Sequence, residues 1–185
     1  MATITNRTVP ARAVSQRADR TLFWIALSTG VGLMGAIDAI GFHHLLRWHN
    51  FYVHAGHDWR AISDGLLHVF TTALLAIGFF LMWRHRRLLT EGPASGIALA
   101  AGIWIGMGVF QLVDGTLFHK VLALHPVREG VDDLLPYDLA WIGSSIVLIG
   151  IGWALSRRIP TRGRGAPAGG ARHTDRRGRA TDARW

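Results

Sequence analysis

The chain has 185 residues, half of them apolar and only 17% charged, and its mean hydropathy is positive at +0.24. It contains no cysteine, which excludes disulfides and thiolate metal sites, so any metal would be held by imidazole and carboxylate groups. The formal net charge is +8, yet no phosphate loop, dinucleotide fingerprint or nucleic-acid-binding module is present, so we expect no specific nucleic acid partner.

Four apolar stretches follow a polar N-terminal arm. Each is long enough to cross a bilayer, which takes roughly 20 residues as a helix. Because lipid offers no hydrogen-bond partners to the backbone, these stretches are predicted to be helices. The predicted fold is an all-α polytopic membrane four-helix bundle. Its predicted spans are residues 22–48, 62–83, 96–124 and 137–156.

The polar ends give the predicted domain layout: a disordered basic arm at 1–20, the transmembrane domain at 21–157 and a disordered Arg/Gly-rich tail at 158–185. The tail cannot bury enough apolar surface to offset its chain entropy. It is either a solvated segment that helps to set topology or an arm attracted to anionic lipid or RNA. The apolar run after Arg20 is about twice the length of a signal-peptide core, so we expect the first span to stay in the mature protein.

Basic residues are concentrated on one side of the predicted bundle. The N-terminal arm, the connection after the second span and the C-terminal tail hold 16 of the 20. By the positive-inside rule both termini are cytoplasmic, and we expect a multi-pass protein of a bacterial inner membrane. Eight of the 12 acidic residues and eight of the ten histidines lie in the opposite half. The charge is therefore +12 inside (16 − 4) and −4 outside (4 − 8).

An internal repeat links the first and third spans. Five positions recur 76 residues apart: Asp38, Phe42, His43, Leu46 and His49 are matched by Asp114, Phe118, His119, Leu122 and His125. Both units run in the same sense across the membrane. The repeat therefore predicts two parallel two-helix units related by a two-fold axis along the membrane normal.

The repeated acids and histidines are the candidate functional residues, because ionisable groups are rarely left in hydrocarbon without a partner or a task. They lie in the outer turns of their spans, at the level where the second and fourth spans begin. Carboxylates at such helix starts also suit N-capping. The predicted ligands are His43, His68 and His119, then His49 and His125, with Asp38, Asp64, Asp114 and Asp138 as ligands or orienting carboxylates.

Angular position constrains this site. At about 100° per residue, His43 lies about 140° from Asp38 around an α-helix. A straight helix cannot aim both side chains at one point. We therefore expect either a bend at Gly41 or an aspartate that orients a histidine without itself binding the ion.

Nitrogen and oxygen donors suit Zn, Fe, Mn or Cu ions, in a mononuclear or dinuclear site. Two other interpretations stay open at this point. The first is an Asp–His network that is structural or handles protons, because buried polar groups can satisfy one another. The second is a haem held between His43 and His119.

Several motifs resemble those of a known family. They are Asp38-Ala-Ile-Gly-Phe42-His43-His44, Ser63-Asp64-Gly65-Leu-Leu-His68, Val113-Asp114-Gly115, Leu124-His125-Pro-Val-Arg-Glu129 and Tyr137-Asp138. The family comprises bacterial four-span membrane proteins with a histidine-rich pattern and is catalogued as a domain of unknown function. The resemblance covers about residues 22–156. It implies four helices in a bacterial inner membrane and carries over no catalytic residues.

Three functions fit these residues. The first is metal handling or metal-dependent assembly of a membrane redox complex, with the bilayer and other membrane proteins as partners. The second is a metalloenzyme that acts on a lipid-phase substrate, with an aspartate as general base. The third is an Asp–His relay for protons or ions, which needs a polar path through the apolar inner halves of the spans.

Overall fold

The computed structural model describes residues 11–91 and 94–159, and all regular structure in these ranges is helical. Two helices, α1 and α4, each continue without a break into a π-helical segment. The α-helices are α1 (Ala11–Asp38), α2 (His57–Arg84), the short α3 (Leu88–Glu91), α4 (Ser95–Val113) and α5 (Leu135–Ser156). The π-helical segments are Ala39–Leu45 after α1 and Asp114–Val121 after α4.

Within residues 11–91 and 94–159, four helices are long and apolar enough to cross a membrane, which confirms the predicted all-α four-span fold. Each of the four spans begins earlier than predicted, and the first and third also end three residues earlier. The four spans are Gln16–Leu45, His57–Arg84, Ser95–Val121 and Leu135–Ser156. Because Asp38, Asp64, Asp114 and Asp138 all lie toward one end of these helices, they share one level of the bundle.

A central pair of helices organises the bundle. α1 packs along α4, while α2 packs on the outside of α1 and α5 on the outside of α4. Glycines let the central backbones approach: a Cβ on Gly30 would lie 2.3 Å from the Ile103 carbonyl oxygen, and one on Gly106 would lie 2.1 Å from that of Leu27. Small residues commonly permit such close packing of membrane helices.

The π-helical segments end in the same way in both halves. The amide of Leu46 donates to the carbonyl of Gly41 at 2.9 Å, and that of Leu122 donates to Leu117 at 2.8 Å, five residues back in each case. The next residues, Arg47 (φ 52°) and Ala123 (φ 47°), adopt the left-handed conformation and turn the chain into the connecting loop. The two loops are thereby directed over the end of the bundle.

The two loops also exchange hydrogen bonds. The Val53 amide donates to the Leu124 carbonyl at 3.1 Å, and the Glu129 amide donates to the Trp48 carbonyl at 2.7 Å. The two bonds join equivalent positions of the repeat, because Val53 corresponds to Glu129 and Trp48 corresponds to Leu124. This local correspondence ties the halves together above α1 and α4, whereas the two-fold relation between complete halves stays a prediction.

The structure differs from the predicted domain layout at the N-terminus. α1 begins at Ala11, so it overlaps the arm predicted for residues 1–20. Within this part of α1, Ala18 and Asp19 are buried against the rest of the bundle. Residues 1–10 and most of the tail predicted from 158 onward lie outside the described residues.

Candidate metal centre

The π-helical segments bring each aspartate and the histidine five residues later to the same side of the helix, which a straight α-helix would not do. In a π-turn the hydrogen bond joins residues five apart, so such residues lie nearly above one another. The Oδ2 of Asp38 is 3.4 Å from the Nε2 of His43, and the Oδ2 of Asp114 is 2.9 Å from the Nε2 of His119. The widened helix, rather than a bend at Gly41, directs each pair to a common point.

His49 and His125 reach the same point from the loops, and their rings stack at a centroid distance of 4.6 Å. Each is held by the backbone of the other loop: the Nδ1 of His49 is 2.7 Å from the Val127 carbonyl, and that of His125 is 2.8 Å from the Phe51 carbonyl. A carbonyl oxygen can only accept, so Nδ1 donates in both rings. The lone pair of each neutral ring is therefore on Nε2, the atom that faces the cluster.

Both loop histidines favour the neutral state. Burial, reinforced by neighbouring histidines, lowers the pKa of His49 to about 2. Burial also lowers the pKa of His125 to about 4, although the nearby Asp114 acts in the opposite direction. The neutral imidazole is the form that binds metal ions.

Asp64 orients His43. Its Oδ1 lies 2.7 Å from the Nδ1 of His43 and accepts the Phe51 amide at 2.6 Å, while its Oδ2 accepts the Asn50 side chain at 2.6 Å. In a neutral His43 ring whose Nδ1 donates to this carboxylate, the lone pair is on Nε2. That Nε2 lies 3.1 Å from the Nε2 of His49, so two lone pairs face each other, an arrangement that a shared cation stabilises.

The donor atoms form two overlapping groups, each with ligand atoms within 4.8 Å of one another. One group is His43, His49 and His125, and the other is Asp114, His119 and His125. All five residues are buried, as is Asp38. His125 belongs to both groups and is thus central to any ion held here.

Several buried atoms at this point have no hydrogen-bond partner within the described part of the chain. The close Asp114–His119 approach also lacks hydrogen-bond geometry. The unpartnered atoms are both oxygens of Asp38, the Oδ2 of Asp114 and the Nε2 atoms of His119 and His125. Buried polar groups are ordinarily satisfied, so unpartnered carboxylate oxygens and imidazole nitrogens that converge at one point fit a cation.

The structure brings together seven of the nine predicted site residues and places the other two apart. His68 lies beside His44, with ring centroids 5.7 Å apart, and neither belongs to the donor groups. Asp138 pairs with Lys120 instead of a histidine. The Nδ1 of His119 therefore lacks the carboxylate that His43 has.

Sequence reasoning missed three groups that hold the site: the carbonyls of Phe51 and Val127 and the side chain of Asn50. The carbonyls carry no signal in the sequence, because every residue has one. Asn50 follows His49 directly and precedes the span that carries Asp64. Its position directly after a predicted ligand was the signal by which Asn50 could have been identified.

Removing the carboxylate that orients His43 should weaken metal binding without abolishing it. For Asp64→Ala we expect about 10–100-fold lower affinity, the usual effect of losing a group that holds a ligand in place. Competition with a chromophoric chelator measures the change. Asp58→Ala is the matched control, because the Asp58 side chain is 99% exposed. Equal affinity in the two variants would contradict the assigned role of Asp64.

Four apolar helices with an Asp–His cluster buried at one end define a helical four-span membrane protein. The chain belongs to the family described as "Predicted membrane protein (DUF2243)", whose profile matches residues 25–159. This match confirms the resemblance seen in the motifs. No curated protein and no solved structure matches the chain.

Proposed function

We propose that this protein binds a divalent transition-metal ion in the cluster and serves in metal handling at the membrane. The observation that carries the proposal is the convergence of imidazole Nε2 atoms whose Nδ1 atoms are already held. Three rings are fixed in this way, by the Val127 carbonyl, the Phe51 carbonyl and the Asp64 carboxylate. Metal-binding histidines typically donate their other nitrogen to such groups.

Charge supports a single divalent ion. Asp38 and Asp114 place two carboxylates in the cluster, each at most 2% exposed, and histidines add no positive charge in the neutral form that binds metal. Burying uncompensated charge is costly, so such charges are normally paired or bind metals. One divalent ion would neutralise the pair. Nitrogen and oxygen donors favour Zn, Fe, Mn or Cu.

The proposed role follows from the location of the cluster. It lies at the end of the bundle opposite the basic connection that carries Arg84, Arg86 and Arg87. With both termini cytoplasmic in a bacterial inner membrane, this end faces the periplasm. An ion held there would be available for transfer to a membrane redox complex during its assembly.

Turnover on a lipid-phase substrate is the second candidate function, favoured by one observation. A cavity of about 430 Å³ adjoins the cluster and shares Val127 with it. The haem alternative is disfavoured because the rings of His49 and His125 occupy the space between His43 and His119. No observation favours the proton or ion relay.

Metal analysis of detergent-purified protein tests the proposal. We expect one equivalent of metal in the unaltered protein and almost none in His43→Ala combined with His119→Ala, since each half then loses a donor. The matched control combines His44→Ala with His68→Ala, which removes two imidazoles outside the donor groups. Plasma mass spectrometry measures the metal, and circular dichroism checks the helix content.

Two outcomes would contradict the proposal. One is unaltered protein that binds no transition metal when purified without chelator and then incubated with each candidate ion. The other is a full equivalent of metal retained by the cluster variant. Loss of metal from the control variant instead would move the site to His44 and His68.

A further inference from the structure

A cavity of about 430 Å³ lies between α1 and α5. α5 packs on α4, and no close backbone contact joins it to α1 among the described residues. Ala140 and Ser144 line the cavity and are exposed within the span formed by α5, so the cavity reaches the surface that faces lipid. A molecule dissolved in the bilayer could enter it laterally.

Aromatic rings form the walls of this cavity. Phe42 meets Trp141 edge-on with centroids 4.8 Å apart, and Trp48 meets Tyr137 with centroids 5.7 Å apart. The remaining lining is mostly aliphatic. Aromatic pairs prefer offset or edge-to-face geometry, so a flat ring is a suitable guest for such walls.

The lining carries a hydrogen-bond donor at Tyr137. Near the loop, Arg128 donates to the Tyr137 hydroxyl at 2.8 Å, which leaves the phenol hydrogen free to donate. Gln111 already donates to the Trp141 carbonyl and to Ser144. The polar chemistry of the cavity therefore calls for a guest with acceptor oxygens.

Several residues that shape this cavity are not repeated at the equivalent positions of the other half. When Asp64 is aligned with Asp138, the counterparts of Ala140 and Ser144 on α2 are Leu66 and Phe70. The counterpart of Trp48 is Leu124. The larger α2 side chains leave less room beside α4, and the indole is absent there. The halves thus diverge in the residues that shape a binding site, whereas they agree in the Asp–His pattern.

We propose that the cavity binds a planar, lipid-soluble ring that carries carbonyl oxygens, the chemistry of a quinone. Small-molecule pockets are mostly apolar, measure about 300–1,000 Å³ and use a few polar groups for orientation. The cavity also adjoins the cluster: Phe42 precedes His43, and the carbonyl of Val127 holds His49. A bound ring would lie beside the proposed metal. The inference goes beyond metal binding and can be tested on metal-free protein.

The test uses decylubiquinone as the probe with protein in lipid nanodiscs, before and after removal of metal by a chelator. Trp48 and Trp141 in the walls should report binding as saturable quenching of tryptophan fluorescence. Ala140→Phe fills the cavity without touching the cluster, and we expect it to weaken the apparent affinity more than roughly tenfold with metal content unchanged. Ala154→Phe, on the exposed surface of the same helix, is the matched control and should bind normally.

Three results would overturn the inference. They are quenching that does not saturate, equal affinity in Ala140→Phe and Ala154→Phe, and displacement of the probe by equimolar oleate, which would make the cavity an acyl-chain groove. Metal content measured on the same samples separates the two proposals. Saturable binding in a protein that never takes up metal would sink the proposed function and leave this inference standing.

Discussion

Replacing His125 with alanine is expected to abolish metal binding at micromolar concentrations. His125 belongs to both donor groups, and no other residue does. Its ring also stacks on the ring of His49. The substitution therefore removes one ligand and also the contact that supports the ring of a second. We expect the dissociation constant to rise more than about 100-fold, equivalent to roughly 3 kcal/mol, in a chelator competition assay.

His44→Ala is the control for this experiment. His44 lies in the same π-helical segment as His43, but it is exposed and its Nδ1 is bonded to the Ala39 carbonyl at 2.7 Å. Its loss should leave the affinity within about twofold. A His125→Ala protein that binds metal as tightly as this control would refute the central place of His125.

Neutralising both cluster carboxylates should change stability in opposite directions with and without metal. In Asp38→Asn combined with Asp114→Asn, the metal-free protein is expected to melt at a higher temperature, because two buried carboxylates with unpartnered oxygens are removed. The gain is on the order of 1–3 kcal/mol. Metal should no longer add the roughly 4 kcal/mol that a ligand at 1,000 times its dissociation constant supplies.

The same pair of substitutions separates a metal site from a structural ion-pair network. If protonated His43 and His119 were paired with these aspartates for stability alone, removing the acids would leave buried positive charge, and the metal-free protein would melt at a lower temperature. Thermal unfolding in detergent, with and without excess metal, measures both the stability of the metal-free protein and the stabilisation that metal adds. Asp132→Asn combined with Asp133→Asn supplies the control, because both residues are exposed in the loop before α5.

The sequence was sufficient to predict four spans and most of the cluster. Long apolar runs identify membrane helices because the bilayer fixes their length. Asp38, His43 and His49 were identified because a charged or polar group in such a run is costly, and a second copy 76 residues later makes chance a poor explanation. Depth along the helix, which follows from residue number, was therefore predictable.

The direction of each side chain was harder to predict. A π-helical segment forms when tertiary contacts reward it, and no residue pattern in this chain marks the change after Asp38 or Asp114. His68 was selected because it lies one turn inside an apolar run, yet its ring lies beside His44 instead of in the cluster. His68 lies at the depth of the cluster, but its side chain points in another direction around the helix axis.

Asp138 illustrates how the two halves diverge. It was predicted as a ligand or an orienting carboxylate, but Lys120 forms an ion pair with it at the rim. Lys120 stands where the first half has His44, so the difference was visible in the sequence. The sequence does not show whether Asp138 pairs with Lys120 or with a histidine, because the pairing depends on how α5 packs against the end of α4.

X-ray absorption at the zinc edge of the zinc-loaded protein tests the central claim most directly. The account predicts nitrogen and oxygen neighbours at about 2.0–2.1 Å, with outer-shell scattering from at least three imidazole rings. In His125→Ala this imidazole signal should fall or disappear. A spectrum of hydrated zinc in the unaltered protein, without imidazole scattering, would contradict the account.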